Sequence, residues 1–99
     1  MRSKSRGHVH ITGLAASDRP EIKFNYLSHP DDMPEFRKAI RLSREILSQP
    51  ALAPYHGGEI QPGSEQTSDE QIDTFIRREA ESAYHPCGTC KLGARNDPM

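Results

Sequence analysis

The sequence has little apolar material. Tryptophan is absent, aromatic residues make up 6% of the 99 residues, and hydrophobic residues make up 33%. An ordinary globular chain is about 45–50% apolar with glycine included, and a short chain buries a smaller share of its surface than a long one. No apolar run approaches the length of a transmembrane helix, and the N-terminal region lacks the apolar stretch of a secretory signal. These shortages exclude a large core and predict at most one domain.

The chain also has almost no net charge, few cysteines and no glycine-rich binding motif. The net charge is -1 with both signs interspersed, which excludes a nucleic-acid partner held by bulk electrostatics. Two cysteines in a single CxxC are too few for a secreted disulfide framework, so a reducing, cytoplasmic location is predicted. Neither GxGxxG nor GxxxxGK[ST] occurs, so no dinucleotide- or phosphate-binding loop is predicted.

Two segments alternate between apolar and polar residues, as strands do. They run from Gly7 to Thr12 and from Ile22 to Leu27, and we expect them to pair antiparallel across the polar loop between them. His8 and His10 would project from the exposed face of the first strand. Because no acidic or cysteine partner lies nearby in sequence, no metal site is predicted there.

Two amphipathic helices follow. The first is predicted to begin at Asp32, with Glu35 at capping-box spacing, and to end before Pro50. The second begins at Ser68 with Gln71 three residues later, and its apolar stripe continues to about residue 82. The fold class is therefore α+β, with an antiparallel sheet and two main helices packed on one face.

Basic residues line the polar side of the first helix. We interpret this side as a solvated face and not as a binding patch. Its members are Arg37, Lys38, Arg41 and Arg44.

The stretch from 81 to 93 concentrates reactive and conformationally special residues around His85. Cys87 and Cys90 have the spacing of a zinc-binding pair, but a structural zinc site needs four ligands and a second pair is missing. A redox CxxC needs its first cysteine at a helix N-terminus, and the glycines here do not predict a helix. Two readings remain open on the residues alone: acid/base catalysis by His85, and a buried, hydrogen-bonded histidine beside two inert cysteines.

Five segments resemble the glucose–methanol–choline (GMC) oxidoreductase family. The last of them is the most specific, and it has Leu92 where the family pattern has methionine, a volume-conserving change. The segments are Ser5–Val9, Phe24–Ser28, Phe36–Leu42, Gly58–Gly63 and Tyr84–Gly93.

The resemblance implies an FAD-dependent oxidation of an alcohol. His85 matches the family's catalytic histidine, which handles the alcohol proton while hydride passes to the flavin. Tyr84 matches a position beside the active site and is predicted to bind substrate, with Tyr55 and Phe36 as further candidates for holding a quaternary ammonium group. The similarity is strongest to members that oxidise choline to betaine aldehyde, on the way to glycine betaine. The alternatives are another GMC alcohol dehydrogenase and a non-catalytic relic or interaction domain.

The resemblance also implies that the chain is incomplete. Residues 1–99 match part of the family's C-terminal substrate domain, without the FAD-binding Rossmann domain and without the second catalytic residue. We therefore expect that this fragment alone binds no FAD and turns over no alcohol. No FAD-binding residue is assigned, no metal ligand is predicted, and the two cysteines are interpreted as packing residues. An electron acceptor at the inner membrane, with the full enzyme peripheral to it, is a further expectation.

Overall fold

The computed structural model describes residues 3–85, 87–89 and 92–96. Two short strands, β1 (His8–His10) and β2 (Glu21–Lys23), are followed by helix α1 (Asp32–Leu47), a 3-10 helix (Pro50–Tyr55) and helix α2 (Asp69–Glu79). The predicted α+β class, with one antiparallel strand pair and two main helices, is confirmed.

The strand pair is shorter than predicted. β1 and β2 pair antiparallel with Val9 opposite Ile22, and a Cβ at Gly7 would collide with the carbonyl oxygen of Lys23. The second alternating segment does not stay extended, because Asn25 and Leu27 both have φ of 56°. The alternation beyond Lys23 therefore belongs to a turning segment and not to a strand.

Helices α1 and α2 pack against each other. Ile72 and Ile76 of α2 are 0% and 2% exposed and form the buried apolar centre of the described residues. The capping box predicted for α2 is confirmed, since Ser68 Oγ accepts from the Gln71 N–H and the Gln71 side chain accepts from the Ser68 N–H. Both bonds satisfy N–H groups that the helix itself leaves unpaired.

The capping box predicted for α1 is wrong. Its N-cap is Asp31, which makes no side-chain cap. Asp32 instead lies 2% exposed and accepts hydrogen bonds from the hydroxyls of Ser3 and Ser5 and from the N–H groups of Lys4 and Ser5. Hydrogen bonds from the two hydroxyls, followed by that from the Lys4 N–H, lower the pKa of Asp32 well below its ordinary value.

The Ser5 hydroxyl joins three segments of the chain. It donates to Asp32 Oδ2 over 2.5 Å and accepts from the backbone N–H groups of Ser28 and His29 at 2.9 and 3.0 Å. The segment before β1 is thereby fixed to the turn that leads into α1.

The basic side of α1 is only partly the solvated face that was predicted: Lys38 is exposed, whereas Arg37 is not. Arg37 donates to both carboxylate oxygens of Asp73 at 2.5 and 2.8 Å and to Asp69 at 2.7 Å. Arg41 also donates to Asp69. These hydrogen bonds join the two helices. The sequence pattern of α1 could not reveal them, because the acidic partners of Arg37 and Arg41 lie on α2, which is distant in sequence.

The apolar side of the strand pair remains open. Val9 is 46% exposed and Ile22 is 57% exposed, so among the described residues neither has the cover that α1 and α2 give each other. The radius of gyration is 18.8 Å, against about 13 Å for a compact chain of this length. The molecule is elongated, and its apolar faces are only partly paired within it.

Candidate active site

The predicted substrate residue Tyr84 lies in a cavity between the segment after β2 and the segment after α2. The cavity measures about 470 Å³ and is lined by Phe24, Tyr26, Glu81 and Tyr84, with Ala80 and Ser82. We call it the aromatic cavity. The Phe24 and Tyr26 rings stack with centroids 5.2 Å apart.

Tyr84 adopts a backbone conformation that is uncommon for a bulky residue. Its φ is 58°, in the left-handed region, and its N–H donates to Ser82 Oγ at 3.0 Å. Non-glycine residues whose backbone adopts this left-handed conformation are strained, and they are found preferentially at functional sites. The turn directs an exposed phenol toward the aromatic cavity while the chain continues into His85.

His85 is exposed and directly follows Tyr84. This agrees with a histidine available to a substrate and not with the buried, hydrogen-bonded histidine that the sequence left open. Cys87 is exposed and free, so its interpretation as a packing residue is wrong; Cys90 lies outside the described residues.

The other predicted aromatic candidates do not join Tyr84. Phe36 lines a separate cavity of about 750 Å³ between α1 and the loop that follows the 3-10 helix. Tyr55 ends the 3-10 helix and is 86% exposed. The aromatic residues that line the cavity together with Tyr84 are instead Phe24 and Tyr26, which sequence reasoning had assigned only to a strand.

An arginine organises the loop beside that larger cavity. Arg44 donates two bonds to the Glu59 carboxylate at 2.8 and 2.9 Å, and further bonds to the carbonyls of Gly63 and Gln66. The hydrogen bond from Arg44 lowers the pKa of Glu59, so this carboxylate stays ionised. The arrangement is a structural clamp that fixes this loop against α1.

No described residue is assigned to FAD. A Cβ at Gly57, Gly58 or Gly88 would meet nothing within 4 Å, so these glycines border open space and pack against no other part of the described chain.

Comparison with known proteins decides the family. The profile described as GMC oxidoreductase matches residues 3–99. The chain belongs to this family. GMC oxidoreductases are generally FAD-dependent, and the resemblance seen in the Tyr84–Gly93 motif is confirmed.

Several GMC relatives are named oxygen-dependent choline dehydrogenase. That of Brucella ovis is 57% identical over the whole chain, which covers 18% of it. That of Escherichia coli (strain SMS-3-5 / SECEC) is 60% identical over 93 residues, which are 94% of this chain and 16% of the relative. That of Rhizobium etli is 56% identical over 98% of this chain and 18% of the relative. The chain thus spans less than a fifth of the length of these relatives.

Among the described residues, no helix combines the length and the apolar character needed to cross a bilayer.

Proposed function

We propose that the chain is the part of an FAD-dependent choline dehydrogenase that carries the catalytic histidine and one side of the choline site. The observation that carries the proposal is the position of Tyr84 and His85: an exposed histidine follows a tyrosine that lines an aromatic cavity. Identity of 57–60% to proteins named choline dehydrogenase supports the choice of substrate within the GMC family.

His85 is proposed to take the hydroxyl proton of the alcohol. Oxidation of an alcohol to an aldehyde removes that proton and a hydride from the carbon, and histidine is the side chain best suited to move a proton near neutral pH. FAD is the general oxidant of the family. No described residue is assigned to FAD, and the role proposed for His85 concerns the alcohol proton alone.

The aromatic cavity is proposed to hold the quaternary ammonium group of choline. Aromatic faces attract such cations, and a carboxylate adds opposite charge. Phe24, Tyr26 and Tyr84 supply the faces, and Glu81 supplies the carboxylate. The combination distinguishes choline from a neutral alcohol of the same shape. It therefore favours a choline enzyme over a general alcohol dehydrogenase of the family. The cytoplasmic location and the electron acceptor at the membrane stay predictions.

The test is a chimera in which this chain replaces the corresponding segment of the Escherichia coli relative. The chimera should oxidise choline. His85→Ala within it should lower turnover by about two to four powers of ten, the range for a lost acid/base group. His56→Ala, at the larger cavity, is the matched control and should leave turnover unchanged. An inactive chimera that folds and retains flavin would favour a non-catalytic relic, and a His85→Ala variant of normal rate would remove His85 from the mechanism.

The substrate assignment is tested in the same chimera. Tyr84→Leu should lower kcat/KM for choline by roughly 2- to 30-fold, the range of a cation–π contact. The neutral isostere 3,3-dimethylbutan-1-ol should be affected much less. Tyr55→Leu is the control, because Tyr55 is exposed and away from the aromatic cavity. An equal loss for both alcohols would contradict a cation-specific role for Tyr84.

A further inference from the structure

The polar face of the strand pair carries two imidazoles and a carboxylate. His8 and His10 lie two residues apart on β1 and share one face, because side chains alternate along a strand. The register places Glu21 opposite His10 and Lys23 opposite His8, so all four side chains lie on that same face. We call His8, His10 and Glu21 the histidine–glutamate cluster.

The three side chains are already close. One ligand atom from each of the three lies within 4.8 Å of the others, and His8 Nε2 is 3.8 Å from Glu21 Oε1. The two imidazole rings stack with centroids 4.2 Å apart and an interplanar angle of 20°. Among the residues that the structure describes, this is the group whose His, Cys and acidic side chains converge in this way.

We propose that the histidine–glutamate cluster binds a divalent first-row transition-metal ion through two nitrogens and one oxygen, with water completing the coordination. Zinc bonds to nitrogen and oxygen are about 2.0–2.2 Å long, which puts the ligand atoms of a tetrahedral site roughly 3.3 Å apart. The cluster reaches that spacing by rotating side chains, since those of His8 and Glu21 are 37% and 58% exposed and no core packing opposes their movement.

The expectation that this strand has no metal site considered only neighbours along the chain. Glu21 belongs to the next strand and reaches His10 by pairing across the sheet. The competing explanation is a simple cross-strand contact between His8 and Glu21. The two explanations differ in the residues that they require. The contact needs only His8 and Glu21, whereas the ion needs His10 as well.

The chemistry of the cluster predicts which ions it takes. Imidazole ligands suit zinc, copper and nickel, and affinity for a given site rises to copper and falls again at zinc. Magnesium and calcium prefer oxygen ligands and should not bind at comparable concentrations. Lys23 opposes His8 on the same face, so its ammonium group should weaken the binding of any cation.

The experiment is a calorimetric titration of the chain with Zn²⁺ and then Cu²⁺, supported by NMR spectra of the imidazole nitrogens. The chain carries no polyhistidine tag. Cys87→Ser and Cys90→Ser are present throughout, so that thiols do not compete for the ion. We expect one ion per chain, tighter binding of Cu²⁺ than of Zn²⁺, and shifts on addition of the diamagnetic Zn²⁺ that are confined to His8 and His10.

Three variants decide the outcome. Glu21→Gln and His10→Asn should each weaken binding by at least about tenfold, since even groups that only support a metal ligand have effects of this size. Lys23→Gln should strengthen binding, which a misfolded variant would not do. His56→Asn is the control and should change nothing. Binding that ignores Glu21 would overturn the proposal, because it would reflect only the local His-x-His sequence. Absence of binding would overturn the proposal as well. An ion held by ligands from both strands would itself stabilise their pairing, so incomplete pairing in the free chain would not explain a negative result.

Discussion

The helix pair and the strand pair are both amphipathic, yet only the helix pair buries its apolar side. Ile72 is 0% exposed between α1 and α2, whereas Ile22 on β2 is 57% exposed. Arg37 and Arg41 of α1 also donate to carboxylates on α2, whereas the apolar face of the strands meets no comparable cover among the described residues. An amphipathic pattern therefore shows that a face needs a partner, but not that the partner lies within the chain.

The largest effect that sharpens this comparison is expected in the helix pair. Ile72→Ala should lower the free energy of unfolding by about 2–5 kcal/mol, the range for removing a large buried side chain and leaving a cavity. Ile22→Ala is the matched change on the exposed strand and should stay within about 0.5 kcal/mol. Urea unfolding followed by helix circular dichroism measures both. Equal losses would show that the strand pair is as well covered as the helices.

A smaller effect is expected at the bonds between the helices. Arg37→Gln removes the hydrogen bonds to both carboxylate oxygens of Asp73. Among the described residues, that carboxylate then keeps only the more distant Arg77 as a basic partner. We expect a lower urea midpoint than for the unchanged chain, though a smaller loss than for Ile72→Ala, and a difference that shrinks at high salt because the pair is partly exposed. Lys38→Gln, on the same helix, is the control. Matching midpoints for the two variants would mean that this side of α1 behaves as a solvated face, as the sequence predicted.

The smallest effect appears only in acid. Hydrogen bonds and nearby cations lower the pKa values of Asp32, Asp69 and Asp73 in the folded chain. The unfolded chain therefore binds more protons near and below pH 4, so the stabilisation is fully present above that pH and is lost as the pH falls through the folded pKa values.

Asp32→Asn checks this at one site. The urea midpoint of the variant should fall less between pH 7 and pH 3 than that of the unchanged chain, although the variant is less stable at neutral pH. The measurement is the urea midpoint at pH 3, 4 and 7. An unchanged acid dependence would mean that Asp32 contributes nothing to it.

Local sequence signals predicted what local physics decides. The Ser68 capping box and the two helices depend on residues a few positions apart, and the strand pairing depends on two alternating segments joined by one loop; all are observed. The features that the sequence did not reveal join distant residues. Arg37 reaches α2, Asp32 binds the segment before β1, and Tyr84 lines one cavity with Phe24 and Tyr26. Spacing along one helix or strand cannot show which remote side chain fills a cavity or neutralises a charge.

The Ser5 hydroxyl has a consequence for how this part of the chain can change in evolution. It donates once and accepts twice, which uses all the hydrogen bonds that a hydroxyl can make. Alanine at position 5 would leave two backbone N–H groups and one carboxylate oxygen without this partner. Substitutions at positions 5 and 32 should therefore be inherited together, although the two residues lie on opposite sides of the strand pair in sequence.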